Sequence, residues 1–128
     1  GWLRAHGLTL SLKCSKLVKA AWFTGMMNRI THTRASWNGH SASGWRTDLI
    51  AALGFDERMR YGGEDRELGE RLVNAGLRGK QIRYSAILLH LDHGRPYVNR
   101  EDIERNNEIR RQTRATRATT TAYGLHGE

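Results

Sequence analysis

The residues best suited to chemistry are two adjacent carboxylates, Glu64 and Asp65, which directly follow Gly62 and Gly63. Glycine adopts positive φ without steric cost, so a Gly-Gly pair lets a ligand approach the backbone closely. The residues after Asp65 have helical periodicity, and the free N–H groups and dipole of a helix N-terminus favour carboxylates there. The pattern predicts a loop that enters a helix and presents two acids, with Tyr61 just before the glycines.

Several features of the sequence predict the helix that follows these acids. Leu68 and Leu72 lie four residues apart, Glu67 and Arg71 form an i, i+4 pair, and Gly76 supplies a residue at which the helix can end. Successive helical side chains diverge by about 100°, so the two acids cannot both aim at one substrate atom. Acids at a helix start also serve as simple caps, and that interpretation stays open.

A polar stretch upstream, Met26 to Ser43, lacks helical periodicity and is expected to form a loop or a short strand. Within it, Trp37, Asn38 and His40 combine an aromatic face with hydrogen-bonding side chains. That combination suits sugar recognition by stacking and hydrogen bonding. A tryptophan buried in an ordinary core is the open alternative.

Two further helices are indicated by caps. Thr47 has the type and position of an N-cap for a short helix over residues 48–53, and Asn99 for a polar helix over residues 100–117. The polar helix is expected on the surface, and the tail, residues 118–128, is expected to be disordered. Acids interleave the arginines of this helix, which disfavours nucleic-acid binding.

Residues 79–91 change from helical to strand character, and the most apolar run of the chain ends at His90. His93 follows. The ends of strands are where α/β proteins bind ligands, and imidazole is a good ligand for divalent ions. Residues three apart in a regular strand point to opposite faces, so only one of the two histidines can readily face an ion. A structural histidine is the open alternative.

The positive charge is concentrated near the start of the chain. Seven of the eight net charges lie in residues 1–47, which contain no acid. Residues 10–21 place apolar side chains on one side of a helix and lysines on the other. Such a helix binds an anionic membrane surface or RNA, or packs its apolar face on the rest of the protein, and both interpretations stay open. Cys14 is the only cysteine, which excludes an internal disulfide and favours a reducing, cytoplasmic compartment.

The sequence also carries a family resemblance. Residues 54–76, GFDERMRYGGEDRELGERLVNAG, resemble the C-terminal half of a glycosyltransferase of the GT-A fold, family 2 type. The GGED core is similar to the Gly-Trp-Gly-Gly-Glu-Asp signature of β-1,4-galactosyltransferases. The likeness extends back through residues 37–57, WNGHSASGWRTDLIAALGFDE, and forward through residues 84–93, YSAILLHLDH. It covers Ala35 to Arg95.

The resemblance implies an α/β fold. Residues 31–98 would form the C-terminal part of a Rossmann-like GT-A catalytic domain. Residues 1–30 would form a basic amphipathic helix and its connection, and residues 99–128 a polar helix and a flexible tail. A chain of 128 residues is short for a complete sugar-nucleotide enzyme, so we expect it to be a fragment whose nucleotide-binding half lies upstream.

The implied activity is transfer of a sugar from a nucleotide-sugar donor, expected to be a UDP-sugar, to the hydroxyl of a glycan acceptor, with inversion. Asp65 is then the base that takes the acceptor proton, and Glu64 positions sugar hydroxyls. The other residues expected to border the substrates are Trp37, Asn38, Tyr61, Gly62 and Gly63.

The resemblance also implies a divalent metal, Mn²⁺ or Mg²⁺. His90, with His93 as the second candidate, would complete a metal site begun by an Asp-x-Asp motif, which occurs nowhere in this chain and is expected upstream. Two positions depart from the galactosyltransferases: Tyr61 replaces a tryptophan and Arg66 replaces an acid. Their acceptor preference therefore does not carry over.

Overall fold

The computed structural model describes residues 20–31, 36–88 and 98–125. These ranges contain four helices, α1 Ala21–Ile30, α2 Arg46–Ala51, α3 Glu64–Asn74 and α4 Arg100–Thr116, and no β-strand. None of the helices in these ranges is long and apolar enough to cross a membrane. The chain divides into two compact units, Gly1–Arg34 with Gln81–His90, and Ala35–Lys80 with Leu91–Glu128.

In the first unit, α1 contacts a turn. The side chain of Asn28 donates to Ser85 Oγ at 2.8 Å and accepts from the Tyr84 N–H at 2.9 Å. The N–H of Ser85 donates to the carbonyl of Ile82 at 2.9 Å, so this part of the expected strand is a turn rather than extended backbone. The end of that strand falls outside the described residues, and the α/β class stays a prediction.

The prediction of a loop from Met26 onward is wrong for residues 26–30, because these residues belong to α1. No residue of α1 is buried. The lysine-faced helix predicted for residues 10–21 lies outside the described part of the chain, except for its last two residues.

The helix α3 forms where the sequence predicts it. Gly63 is the N-cap with φ +95°, and three acids occupy the first turn. At the other end, the N–H of Gly76, at φ +90°, donates to the Val73 carbonyl, and the N–H of Leu77 donates to the Leu72 carbonyl. These two bonds form a Schellman motif, which satisfies carbonyls that the helix leaves free.

One face of α3 packs against α2 and the segment before it. Leu68 and Leu72 are buried with Ala52 in an apolar cluster, against which Trp37 and Leu49 pack. The helix α2 begins two residues before its predicted start. Its N-cap is Trp45, which makes no capping side-chain bond, so the prediction of Thr47 as the cap is wrong.

A second face of α3 packs against α4 through polar groups. Arg71 and Glu67 are fully buried and form an ion pair at 2.8 Å. Thr113 Oγ1 of α4 donates to Glu67 Oε1 at 2.8 Å. Arg71 also donates to the carbonyls of Ala52 and Gly54 beyond the end of α2. A single buried pair therefore joins α2, α3 and α4.

The helix α4 starts as predicted, because the Asn99 side chain accepts from the N–H of Glu101 at 3.0 Å. The prediction that α4 lies on the surface is correct for one side of the helix only. Asn106, Ile109 and Thr113, spaced three and four residues apart, are buried. Two of these three residues are polar, which is why apolar periodicity did not reveal the buried face.

Residues 118–125, here called the C-terminal strap, follow a defined path along the rest of their unit, where the sequence predicts a disordered tail. The N–H of Leu125 donates to the Leu53 carbonyl at 2.7 Å. The N–H of Glu57 donates to the Tyr123 carbonyl at 2.8 Å. Both contacts attach the strap to the loop between α2 and α3.

A buried carboxylate completes this attachment. Asp56 accepts from Thr121 Oγ1 at 2.8 Å and from Arg58 Nη2 at 2.7 Å, and the Arg58 guanidinium lies 3.7 Å from the centre of the Tyr123 ring. Burial acts to raise the pKa of Asp56, but the hydrogen bonds from Arg58 and Thr121 outweigh it and leave this pKa below the ordinary value. The strap is therefore held to an ionised group.

Candidate functional site

The loop that enters α3 is held from beneath by a buried asparagine. Asn106 Nδ2 lies 3.3, 3.3 and 3.1 Å from the carbonyl oxygens of Arg60, Tyr61 and Gly62. Asn106 has no exposed surface. One buried side chain therefore shares its two N–H donors among three successive carbonyls and ties the path of this loop to α4.

Both glycines of the loop have the left-handed conformation that their sequence predicts, with φ +111° at Gly62 and +95° at Gly63. They are also closely packed. A Cβ at Gly62 would lie 3.2 Å from Ile103 Cγ1, and one at Gly63 would lie 3.1 Å from Arg110 Cδ. Any larger residue at either position meets both backbone strain and α4.

The two acids point to different partners, as their helical spacing predicts. Glu64 Oε2 accepts from the Gly62 N–H at 2.7 Å, which closes the Gly-Gly loop on itself. Asp65 Oδ2 accepts from the Gly39 N–H at 2.9 Å, and Oδ1 accepts from the Arg66 N–H at 2.7 Å. Both acids are partly exposed. Asp65 thus joins the start of α3 to the polar segment that precedes α2.

That polar segment places one predicted substrate residue, Asn38, next to Gly39, whose N–H contacts Asp65. Asn38 and Gly39 belong to a turn in which the Ser41 N–H donates to the Asn38 carbonyl at 2.9 Å. Asn38 is half-buried and His40 is exposed. The structure therefore brings together Asp65, the Gly-Gly loop and the turn at Asn38. The two residues in contact, Gly39 and Asp65, are 26 positions apart in the sequence.

Trp37 is in contact with the helix rather than with open space. A Cβ at Gly69 would lie 2.6 Å from Trp37 Cβ, and one at Gly44 would lie 3.0 Å from the edge of the Trp37 ring. The side chain is half-buried against the cluster of Leu68 and Leu72. Its packing fits the ordinary-core interpretation, and its role in sugar stacking stays a prediction.

Charged groups of α4 support the site from the next turn of α3. Glu70 Oε1 accepts from Arg110 Nη2 at 2.6 Å and from Arg114 Nη1 at 2.8 Å. Among the described residues, three buried side-chain nitrogen or oxygen atoms have no hydrogen-bond partner: Glu70 Oε2, Asn106 Oδ1 and Arg110 Nε. These residues are linked to the Gly-Gly loop through Asn106 and through the contact of Arg110 with Gly63.

The predicted metal ligands, His90 and His93, lie outside the described residues. Within the ranges that the structure describes, no group of three His, Cys, Asp or Glu side chains is placed to hold a metal ion. The Mn²⁺ or Mg²⁺ site therefore stays a prediction.

Two residues of the site were missed by sequence reasoning. Gly39 supplies the N–H that orients Asp65, and Asn106 supplies the amide that holds the loop. Neither had a local signal, because a backbone donor is present at every non-proline residue and a single asparagine in a polar helix is usually exposed.

Comparison of the chain with protein-family models, with curated proteins and with solved structures gave no match. The function is therefore argued from the motifs and from the geometry around Asp65.

Proposed function

We propose that the chain supplies the acceptor side and the catalytic base of an inverting glycosyltransferase. The observation that supports this most is the placement of Asp65. Its carboxylate lies at the junction of a positive-φ Gly-Gly loop and a polar turn, and it is oriented by the N–H of Gly39. A simple helix cap would not need a donor from a segment 26 residues away.

The transfer step assigns one task to each acid. Asp65 takes the proton of the acceptor hydroxyl while that oxygen forms a bond to C1 of the donor sugar, and the bond from C1 to the diphosphate breaks with inversion. The two oxygens of a carboxylate offer about four lone-pair positions, so Asp65 can accept this hydroxyl in addition to its two backbone donors. Glu64, tied to Gly62, holds the loop and sugar hydroxyls.

Other parts of the proposal follow the resemblance. By the resemblance, Tyr61 would stack on a sugar, Trp37 would contact one through the part of its ring that is not packed on the apolar cluster, and Asn38 would offer an amide. The donor is a UDP-sugar bound by an upstream half of the same enzyme, and the acceptor is a glycan. Mn²⁺ or Mg²⁺, held by His90 or His93 and the upstream Asp-x-Asp motif, would neutralise the charge of the leaving diphosphate. The expected location is the cytoplasm, with peripheral contact to a membrane.

The competing proposal is a basic module that binds an anionic membrane or RNA. Within the described ranges it has no support from α4. Each of the five arginines of this helix forms an ion pair with an acid: Arg100, Arg105, Arg110, Arg111 and Arg114. Paired arginines make a poor phosphate-binding surface, so binding through residues 4–34 is the form of this alternative to be tested.

The deciding experiment compares Asp65→Asn, Glu64→Gln and Glu57→Gln in the full-length protein, with turnover of a panel of UDP-sugars as the measurement. Asp65→Asn keeps the shape of the side chain and removes its basicity, so we expect turnover to fall at least about 100-fold with normal donor binding. Glu57 is an exposed acid and its variant is the matched control.

Three outcomes contradict the proposal in different ways. Normal turnover in Asp65→Asn with an inactive Glu64→Gln would move the base to Glu64. Full activity of both variants would remove the site from this loop. Salt-sensitive binding to anionic vesicles or RNA, with no turnover of any sugar nucleotide by the wild type, would favour the basic module.

A further inference from the structure

A cleft of about 460 Å³ lies at the far end of α3 from the acids. Its first wall is the end of α2, its second is the end of α3, and its third is Thr119 of the C-terminal strap. Ala75, at this cleft, follows Asp65 by ten residues, and a helix rises 1.5 Å per residue, so the two are roughly 15 Å apart. The cleft is therefore separate from the proposed glycosyltransferase site and lies within the same compact unit.

The walls of this cleft are small and apolar. They are formed by Ala51, Ala52, Leu72, Ala75 and Leu77. A volume of this size falls in the range of small-molecule sites, which are mostly apolar with a few polar groups that fix orientation. Among the described residues, the polar groups here are Asp48 and Thr119 and no lysine or arginine lines the cleft, although the chain carries a net charge of +8.

Asp48 is the feature that selects a ligand. It is half-buried, and within the described part of the chain its carboxylate makes no ion pair and no side-chain hydrogen bond. A cation in the cleft would meet this carboxylate beside apolar walls, where the lower effective dielectric constant strengthens an ion pair. The C-cap of α3, Ala75, also lies at the cleft, and the C-terminal end of a helix carries partial negative charge.

We propose that this cleft binds a small organic cation, a primary ammonium group on a short aliphatic chain. The ammonium group pairs with Asp48 and donates to Thr119 Oγ1, while the methylene groups lie against the alanine and leucine walls. Thr119 belongs to the C-terminal strap, so detachment of the strap would remove one of the two polar contacts of the ligand. Ligand binding therefore stabilises the attached strap by the free energy of that contact.

The test is an NMR titration of the whole chain with n-butylammonium and with n-butanol, a neutral molecule of the same length. We expect n-butylammonium to shift the amide resonances of Ala51, Ala75 and Thr119 saturably, with an affinity at least about fivefold higher than that of n-butanol. Asp48→Asn should lower the n-butylammonium affinity to that of n-butanol. Glu57→Gln, which removes an exposed acid outside the cleft, should change neither affinity.

The same titration can overturn the proposal. Equal affinities of the two probes for the wild type, unchanged n-butylammonium binding in Asp48→Asn, or no saturable shift for either probe would each exclude it. Retained n-butanol binding in Asp48→Asn shows that the variant is folded. Proton exchange at the Leu125 amide supplies an independent measurement, since n-butylammonium should slow it in the wild type and leave it unchanged in Asp48→Asn.

Two natural sources of an ammonium group are distinguished by two further probes. Butane-1,4-diamine represents free amines, and Nα-acetyl-lysine N-methylamide represents a lysine side chain of a protein. A higher affinity for the lysine derivative would identify a peptide ligand, and a higher affinity for the diamine would identify a free amine. Binding of neither would contradict the proposed ligand class.

Discussion

The two faces of α3 differ in how they are packed. The face toward α2 is apolar, with Leu68 and Leu72 against Ala52. The face toward α4 is polar, with Glu67 bonded to Thr113 and Glu70 bonded to two arginines. Apolar contact is non-directional, whereas hydrogen bonds require donor–acceptor distances of about 2.7–3.2 Å. The apolar face therefore supplies free energy, and the polar face fixes the position of α4 along α3.

The polar face has a structural consequence for the site. Asn106, Arg110 and Thr113 lie on one side of α4, and the first two contact the Gly-Gly loop. A shift of α4 by even one residue, about 1.5 Å, would move Asn106 away from the loop carbonyls. The polar contacts thus transmit the position of α4 to the loop that carries Glu64 and Asp65.

The largest loss of stability is expected from a substitution of Arg71, on the polar face of α3. We expect Arg71→Met to lower the free energy of unfolding by about 3–5 kcal/mol, because it leaves Glu67 buried without its cation. Urea denaturation monitored by tryptophan fluorescence measures this change. The double variant Arg71→Met with Glu67→Leu should be less destabilised than Arg71→Met alone, since no buried charge remains. If the double variant is instead less stable than Arg71→Met alone, the ion pair is itself strongly stabilising.

The apolar face is tested by Leu68→Ala. Leu68 is 1% exposed, so the truncation removes apolar contacts and leaves a cavity, and we expect a loss of about 2–5 kcal/mol. The control is Val73→Ala, since Val73 is 49% exposed. Because Leu68 lies on the apolar face, we expect Leu68→Ala to lower the stability of the whole unit without a selective increase of amide exchange in the Gly-Gly loop. Loop amides that exchange much faster than global unfolding allows would contradict this separation.

For Asn106→Ala we expect the opposite distribution of effects, with a smaller loss of stability and a selective opening of the Gly-Gly loop. Stability should fall by about 2 kcal/mol, because three carbonyls lose a buried donor and part of this cost is recovered from water. Proton exchange should increase most at residues 60–63, through local opening. Asn107→Ala, at the exposed neighbouring position, is the control. Uniform loss of protection throughout the unit would mean that Asn106 has no special relation to the loop.

The smallest expected effect is at the C-terminal strap. Thr121→Val removes a hydrogen bond to ionised Asp56 and should cost about 1.5 kcal/mol at neutral pH. The pKa of Asp56 is lowered by folding, so its contribution is present above the ordinary aspartate value of 3.8 and is lost as the pH falls through the lower folded value. The difference between Thr121→Val and the wild type should shrink below that ordinary value. Thr120→Val, at an exposed position, should show no such pH dependence.

The sequence predicted those parts of the fold whose signals are local. The limits of α3 followed from the Gly-Gly pair, the spacing of its leucines and Gly76, and the start of α4 followed from Asn99. The divergence of Glu64 and Asp65 followed from helical geometry alone. Each of these features depends on residues within a few positions of one another.

The features that were missed depend on distant residues. Thr121 reaches Asp56 across 65 positions, and Asn106 reaches Gly62 across 44. Polar contacts of this kind leave no periodic apolar pattern, so the strap was expected to be disordered and the inner face of α4 to be exposed. The N–H of Gly39 at Asp65 belongs to the same class, because a backbone donor has no sequence signature.

The close contact of Gly69 with Trp37 constrains how the sequence can change over evolutionary time. Alanine at position 69 would favour the helix by about 1 kcal/mol, yet its Cβ would lie 2.6 Å from Trp37 Cβ. The atoms of residue 37 nearest to that added Cβ are its Cβ, N and Cα, which every residue except glycine carries. The more helical residue is therefore excluded for any side chain at position 37, and a change that withdraws the backbone there must come before any side chain is gained at position 69.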